Sequence, residues 1–352
     1  MSTLNLTIST TDLPLVLEGY IKQATNVLLT SSPGVGKTAI VKATCENLGY
    51  KLLTIHGVTC DPVDLSGLPF VSKDGKTADY LPAGTLAKIV KATEPTVVFL
   101  DDIGQAPPAV QAAIMQLVWD RLIGEHRVPD CVTFVMASNR RKDKAGVSGM
   151  LSTLLDRAVH LEVSPDYKAW INWAVSQGFD DKVITYIQKT RGEALYDFKP
   201  STDFTKSATA RGWEMVNRTL TIKPSLPAKL RFPALAGCIG EGQAVAFEAH
   251  LRVYEDLPSF EDILNDPDSV EVPSGESSGH ILYALSGVLA RCILDGDKRF
   301  ENAWRWAERV CEAGHVEQAA YMMHFVHHVD STRCIGEAFI RLSANHLSEV
   351  LA

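Results

Sequence analysis

Lys37 and Thr38 follow two glycines, Gly34 and Gly36, at the point where an apolar run ends and a helical pattern begins. Backbone N–H groups in such a turn form a concavity for phosphate oxygens, and the positive end of the following helix is directed at the same place. The lysine would reach the β- and γ-phosphates of a nucleotide, and the threonine hydroxyl would ligate Mg²⁺. The predicted nucleotide-binding residues are Ser32, Pro33, Gly34, Val35, Gly36, Lys37, Thr38 and Ala39.

This glycine loop (residues 31–38) departs from the Gly-x-x-x-x-Gly-Lys-Ser/Thr pattern at its first position, where Ser31 replaces glycine. The substitution bears on the local turn geometry more than on binding. A Gly/Ser turn that only caps a helix is the alternative interpretation. That alternative does not explain a lysine placed in the first helical turn behind two glycines.

Two carboxylates, Asp101 and Asp102, end a second apolar run that begins at Thr96. A carboxylate at the tip of a buried strand beside a phosphate loop holds Mg²⁺, usually through water. We assign this metal role to Asp101 together with Thr38, and we expect Asp102 to polarise the attacking water. The alternative is a pair of helix-capping aspartates at a strand-to-helix turn.

The composition restricts the class of protein. The chain has 352 residues, a net charge of −8, 46% hydrophobic residues and seven cysteines. The acidic balance argues against general affinity for nucleic acid, which needs a basic surface. An odd cysteine count without a Cys-x-x-Cys pair indicates reduced thiols, so we expect a cytoplasmic protein. The sequence has neither a signal-peptide pattern nor an apolar run long enough to cross a membrane.

Apolar runs of strand type alternate with helical patterns as far as residue 163. This alternation predicts an α/β domain with a three-layer arrangement, in which helices cover both faces of a parallel sheet. Beyond Ser164 the strands stop and helical patterns continue. We therefore expect three parts: an α/β domain over 1–163, an all-α lid over 164–256 and a C-terminal helical region over 257–352.

Four further passages carry a resemblance to a known family. FLDDIGQAPPAVQAA at 99–113 resembles the Walker-B passage of MoxR-type AAA+ ATPases, DLSGLP at 64–69 resembles a passage upstream in that family, and VMASN at 135–139 resembles its sensor-1 strand. Residues 70–82, with Asp74-Gly75 as a hairpin turn, resemble the insert of this clade. The resemblance covers about the first two-thirds of the chain. It implies a P-loop AAA+ fold, ATP and Mg²⁺ as ligands, and ATP hydrolysis.

The resemblance also implies roles for three more residues. Asn139 would orient the attacking water or contact the γ-phosphate, although a turn residue at a strand end is the simpler interpretation. Arg157 corresponds to the arginine finger that reaches a neighbouring subunit, and Arg211 to the sensor-2 arginine of the lid. The alternative for Arg157 is a surface arginine at a helix end. Arg140 and Arg141 are better explained as a solvated basic turn than as groups facing a neighbour.

A finger that acts on a neighbour implies a homo-oligomer, and the family implies a six-membered ring that remodels a protein client, often with a von Willebrand factor A-type partner. Two other functions remain open. Asp102 stands where the family has glutamate, and its shorter side chain predicts slower hydrolysis, as in a nucleotide-gated assembly module. The third possibility is a DNA motor, which the charge of −8 disfavours.

Three other features of the sequence are assigned structural roles. His324, His327 and His328 could hold zinc on one helix face, but a polar surface is the favoured interpretation. Gly-x-Ser-x-Gly at 275–279 lacks the preceding strand of a nucleophile elbow. Trp304 and Trp306 are expected in a core or an interface.

Overall fold

The computed structural model describes residues 7–72, 75–140, 143, 156–198, 205–222, 225–255, 257, 259–275 and 278–346. The chain forms two compact units. Unit 1 comprises Met1–Asp166, Phe198–Thr205 and Thr209–Arg211, and unit 2 comprises Tyr167–Asp197, Lys206–Ala208 and Gly212–Ala352.

Unit 1 is built on a sheet of six parallel strands. These strands are β1 (Thr7–Ser9), β2 (Val27–Ser31), β3 (Lys51–His56), β6 (Thr96–Asp101), β9 (Val132–Asn139) and β10 (Val159–Ser164). Their spatial order is β1-β10-β2-β9-β6-β3. Every residue of β2 and β6 is buried, as is expected of inner strands covered on both faces. The predicted parallel sheet is confirmed, whereas the three-residue edge strand β1 had no periodic signal and was not predicted.

Helices and two small hairpins connect these strands. The helices are α1 (Leu13–Lys22), α2 (Lys37–Leu48), α3 (Pro62–Ser66), α4 (Gly84–Val90) and α5 (Pro108–Met115). The hairpins are β4 (Leu68–Val71) with β5 (Ala78–Leu81), and β7 (Leu122–Ile123) with β8 (His126–Arg127). The first hairpin confirms the prediction for residues 70–82, although Asp74 lies outside the described residues. The second was missed because strands of two residues have no detectable alternation.

The core of unit 1 lies between β6, β9 and the helices that pack on them. It includes Val98, Leu100, Phe134, Ile89 and Ile114, each fully buried. Burial of such side chains stabilises the sheet by roughly 1.5–3 kcal/mol each. This packing fixes the carboxyl ends of the strands, where the predicted site residues lie.

Unit 2 is helical. Its elements are α6 (Tyr167–Ser176), α7 (Asp181–Lys189), α8 (Ala210–Leu220), α9 (Ala228–Ile239), α10 (Glu241–Glu255), α11 (Phe260–Asn265), α12 (Ser278–Leu294), α13 (Phe300–Glu312), α14 (Val316–Asp330) and α15 (Glu337–His346), of which α8 begins within unit 1. Helix α9 was not predicted, because Pro233 lies inside it and prolines usually end helices. Trp304 and Trp306 are buried in this unit, which confirms the prediction of a core role.

None of the described helices combines the length and the apolar character needed to span a bilayer. The part of the chain that the structure describes also contains no cluster of three or more His, Cys, Asp or Glu side chains suited to a metal ion. His324 and His327 therefore belong to no such cluster there, and the side chain of His328 is not described. Ser278 begins α12, and its hydroxyl donates to the Gly275 carbonyl at 2.8 Å.

Candidate nucleotide site

Three adjacent strands of the sheet bring the predicted residues to one edge. β2 ends at Ser31, β6 at Asp101 and β9 at Asn139, and β9 lies between the other two. Ser31 is paired in register with Asn139. Since the carboxyl ends of parallel strands share an edge, the glycine loop, Asp102 and Asn139 converge there. Clefts at this edge are the usual ligand sites of open α/β sheets.

The glycine loop leaves β2 and enters α2 through two residues with left-handed backbone. Gly34 has φ +78° and Gly36 has φ +107°, a region that side chains disfavour. A Cβ at Gly34 would lie 3.0 Å from the Thr209 Cβ, whereas one at Gly36 would meet open space. Gly36 is the N-cap residue of α2 and makes no side-chain capping hydrogen bond. The first N–H groups of α2 have no partner within the helix, and they follow directly on the loop, where a phosphate site needs donors.

Lys37 lies between the loop and the end of β9. Its side chain is buried, and its ammonium donates to Ser31 Oγ at 2.8 Å and to Asn139 Oδ1 at 3.1 Å. Burial lowers the pKa of Lys37 to about 8, although the charges of Asp101 and Asp102 oppose that shift. A buried ammonium whose hydrogen bonds go to neutral oxygens is a strong attractant for an anion.

Thr38 and Asp101 form the predicted metal pair. The Thr38 hydroxyl donates to Asp101 Oδ2 at 2.9 Å, and Asp101 is 8% exposed. A hydroxyl and a carboxylate are hard oxygen ligands, which Mg²⁺ prefers, and this ion usually binds few protein ligands in addition to water and phosphate. The residues present therefore fit the metal that the loop implies.

Asp102 follows β6 in a left-handed conformation, with φ +53° and ψ +34°. Its N–H donates to Asp101 Oδ1 at 3.0 Å, and its own Oδ1 lies 3.5 Å from Asn139 Nδ2. Burial raises the pKa of Asp102, as does the charge of Asp101, while Lys37, His56 and Arg211 act in the opposite direction. Aspartate is among the residues that tolerate this backbone region, whereas glutamate is not enriched there. This preference gives a physical reason for aspartate at position 102.

The two remaining arginines differ in their surroundings. Arg211 is exposed near the start of α8, and its charge is felt at Asp102. Arg157 is partly buried, with its guanidinium carbon 4.6 Å from the ring centroid of Trp119. The structure thus brings Lys37, Thr38, Asp101, Asp102 and Asn139 together in a network of contacts. Arg157 takes part in none of these contacts.

Sequence reasoning missed two members of this edge. Ser31 provides the hydroxyl that accepts from Lys37, so the residue that departs from the loop consensus is a contact of its lysine. Arg140 was interpreted as a solvated turn residue, and that interpretation is wrong. Its side chain is 27% exposed and forms ion pairs with Asp143 and Glu162. Strand pairing alone could have placed Arg140 beside the loop, but not its partners. Arg141 lies outside the described residues.

Comparison with known families shows what this part of the chain resembles. Residues 27–161 match the model of the ATPase family associated with various cellular activities (AAA). The matched segment contains the glycine loop, the Asp101–Asp102 pair and Asn139. Residues 27–161 of unit 1 are therefore similar to an AAA ATPase domain.

Individual relatives are more distant. Midasin from Giardia intestinalis is 25% identical over 278 residues, which is 74% of this chain and 6% of Midasin. The chain thus spans a small fraction of that relative's length. The RuvB Holliday junction branch migration motor of Thermotoga maritima is 18% identical, with a TM-score of 0.38 over 86% of each chain. Likeness at this level assigns no activity.

Proposed function

We propose that this protein binds ATP with Mg²⁺ and hydrolyses it. The observation that carries the proposal is the convergence of Lys37, Thr38, Asp101 and Asn139 at the end of three adjacent strands. Lys37 contacts Asn139 at 3.1 Å, and Thr38 contacts Asp101 at 2.9 Å. The AAA match over residues 27–161 supports the same activity.

Each residue has a role in this proposal that follows from its position. The N–H groups of residues 32–39 bind the phosphates, and Lys37 neutralises charge on the β- and γ-phosphates. Thr38 and Asp101 hold Mg²⁺, which neutralises further charge on the phosphates when it is bound. Asp102 accepts a proton from the attacking water, and Asn139 orients that water. Arg211 adds positive charge near Asp102.

Arg157 acts on the nucleotide of a neighbouring subunit, so the active form is a homo-oligomer, for which we propose a six-membered ring. The position of Arg157 over Trp119 rather than among the loop contacts supports an action in trans. In this proposal residues 1–163 are the nucleotide-binding domain, 164–256 the lid and 257–352 an additional helical region.

The work done by hydrolysis is, in our proposal, MoxR-like remodelling of a protein client in the cytoplasm, with a von Willebrand factor A-type protein as the candidate partner. The hairpin formed by β4 and β5 supports contact with a protein, because Leu68, Phe70 and Val71 are each more than half exposed. The net charge of −8 makes nucleic acid a less suitable client.

A second candidate function is nucleotide-gated assembly with slow hydrolysis. The side chain of Asp102 favours it, because its carboxylate is one methylene shorter than that of glutamate and reaches the attacking water less well. Assembly that follows ATP binding without turnover would favour this function, and turnover that rises when a client is added would favour remodelling.

Subunit mixing tests the proposal. Lys37→Ala removes the phosphate contact and keeps Arg157, whereas Arg157→Ala keeps the phosphate contact and removes the finger. Each variant alone should be at least about 100-fold slower than wild type. Mixed together, they should recover part of the activity, because the first variant supplies its finger to the second. A mixture that hydrolyses ATP no faster than the sum of the two separate variants would contradict action in trans. An Arg157→Ala variant that is active as a monomer would contradict the assignment of Arg157 as the arginine finger.

A further inference from the structure

Arg140 is the first residue after β9, and its backbone N–H donates to the Ser31 carbonyl at 3.1 Å. Its guanidinium contacts the Ser32 hydroxyl. It also donates to Asp143 at 2.9 and 3.2 Å and to Glu162 Oε1 at 3.1 Å. Main chain and side chain of this residue therefore both contact the beginning of the glycine loop.

These partners lie on both sides of the strand that carries the loop. The sheet order places β2 between β9 and β10. Arg140 follows β9, and Glu162 lies in β10, where it is paired in register with Thr30 of β2. The side chain of Arg140 thus bridges the carboxyl end of β2 at the point where the glycine loop begins. Ser32 is 3% exposed, so this contact is shielded from water.

The chemistry of the bridge requires arginine. A guanidinium has five N–H donors in a fixed plane, and here three nitrogen atoms serve three different partners. A lysine has the same charge, but its three N–H donors diverge from a single nitrogen, so it cannot reproduce the planar set of three nitrogen atoms that serves these partners.

We propose that Arg140 is a positioning residue that fixes the glycine loop in its phosphate-binding conformation by holding Ser32 against β9 and β10. The proposal rests on the nucleotide site described above. Asp143 and Glu162 neutralise the charge of Arg140, so its effect passes through the loop and not through direct attraction of the nucleotide. Loss of the bridge weakens nucleotide binding because the loop must be ordered again when the phosphates bind.

A purely structural role for Arg140 makes a different prediction. It would lower the melting temperature and leave the affinity of the folded protein for ATP unchanged. Arg121 offers a matched control in the same unit. Its guanidinium donates to the carbonyls of Pro129 and Val132, at the amino end of β9, the opposite end from Arg140.

The experiment measures the dissociation constant of a fluorescent ATP analogue with Mg²⁺, and the melting temperature, for full-length variants. Arg140→Lys, Arg140→Met and Ser32→Ala should each weaken binding about tenfold, and the Arg140→Met/Ser32→Ala double variant should be no weaker than either single variant, since coupled residues are not additive. Arg121→Met should lower the melting temperature and keep the wild-type affinity.

Unchanged affinity in the Arg140 variants, full rescue by lysine, or additive losses in the double variant would overturn the positioning role. If Arg140→Met does not fold, Arg140→Lys and Ser32→Ala decide the question by the same criterion. A wild-type protein that does not bind the analogue would refute the nucleotide site itself, and with it this inference. A wild-type protein that binds, with variants that bind equally well, would refute the inference alone.

Discussion

Buried and partly buried charged side chains have different kinds of hydrogen-bond partner in the two units of this protein. At the sheet edge of unit 1, the hydrogen bonds of Lys37 go to a hydroxyl and to an amide oxygen. In unit 2, Arg231 forms two hydrogen bonds with the carboxylate of Glu248, at 2.8 and 2.9 Å. Arg291 likewise donates to Asp181 at 2.8 Å. The hydrogen bonds of Lys37 leave its positive charge available to an anionic ligand. The arginines of unit 2 are instead paired with carboxylates of the fold itself.

This difference separates function from stability. Burying an ammonium with neutral partners costs free energy, and burial accordingly lowers the pKa of Lys37 to about 8. An anionic ligand would recover that cost. An arginine–carboxylate pair in unit 2 contributes little net stability, but removing the carboxylate takes from the arginine the opposite charge that it pairs with. Substitution of Lys37 should therefore impair nucleotide binding and preserve stability. Substitution within the unit 2 pairs should lower stability and preserve nucleotide binding.

The largest expected effect is that of Lys37→Met on activity. We expect ATP turnover to fall about 1,000-fold, because a principal contact with the transferring phosphoryl group is lost. The melting temperature should stay the same or rise, since a buried charge has been removed. Steady-state turnover and calorimetry on the same preparation measure both. A Lys37→Met variant without a melting transition would show that Lys37 is needed for the fold. That result would contradict the contrast between a binding role for the charge in unit 1 and a stabilising role for the charges in unit 2.

Asp102→Asn should lower turnover about 100-fold while nucleotide binding is retained, because the carboxylate that accepts the proton is lost. Asparagine tolerates the left-handed backbone at this position, with φ +53°, so the fold should be unaffected. Single-turnover hydrolysis measures the effect. Asp102→Glu introduces the longer side chain that the MoxR-type family has at this position, and it should change turnover. Equal rates for aspartate and glutamate would argue against a rate limited by the reach of this carboxylate.

Glu248→Ala should lower the free energy of unfolding by about 3 kcal/mol, because it removes the buried carboxylate that accepts two hydrogen bonds from the guanidinium of Arg231. The side chains of Arg231 and Glu248 are 19% and 7% exposed. Affinity for ATP should be that of wild type. Urea unfolding of this variant, and of an Arg231→Met/Glu248→Leu double variant in which no charge remains, is the measurement. The double variant should recover most of the loss, and if it does not, packing rather than charge would explain the effect.

The smallest effect concerns pH. Burial alone would raise the pKa of Glu308, but ion pairs with Arg341 and Arg305 outweigh it, so the pKa lies below its ordinary value of 4.5. A carboxylate with a lowered pKa in the folded state stabilises above that ordinary value, and its contribution disappears as pH falls through the folded pKa. The difference in melting temperature between wild type and Glu308→Gln should therefore narrow between pH 7 and pH values below 4.5. A constant difference would show that ionisation of Glu308 is not involved.

The sequence was most informative where local patterns carry the structure. β6 was predictable because four apolar residues, 97–100, end in a carboxylate, and the glycine loop because two glycines, a lysine and a helix follow a strand. These patterns predicted the parallel sheet and the convergence at its edge. The contact between Ser31 and Lys37, and the bridge formed by Arg140, depend on distances between strands that no local pattern encodes. Helix α9 was missed because Pro233 contradicts its local propensity, which tertiary packing overrides.

The central claim is that the edge formed by β2, β6 and β9 is built for a triphosphate. Calorimetric titration of the full chain with ATP in the presence of Mg²⁺ tests it most directly, with Lys37→Met and Glu248→Ala in parallel. We expect one nucleotide per chain for wild type and for Glu248→Ala, and no measurable binding for Lys37→Met. Equal binding by Lys37→Met, or no heat of binding from folded wild-type protein, would contradict the claim.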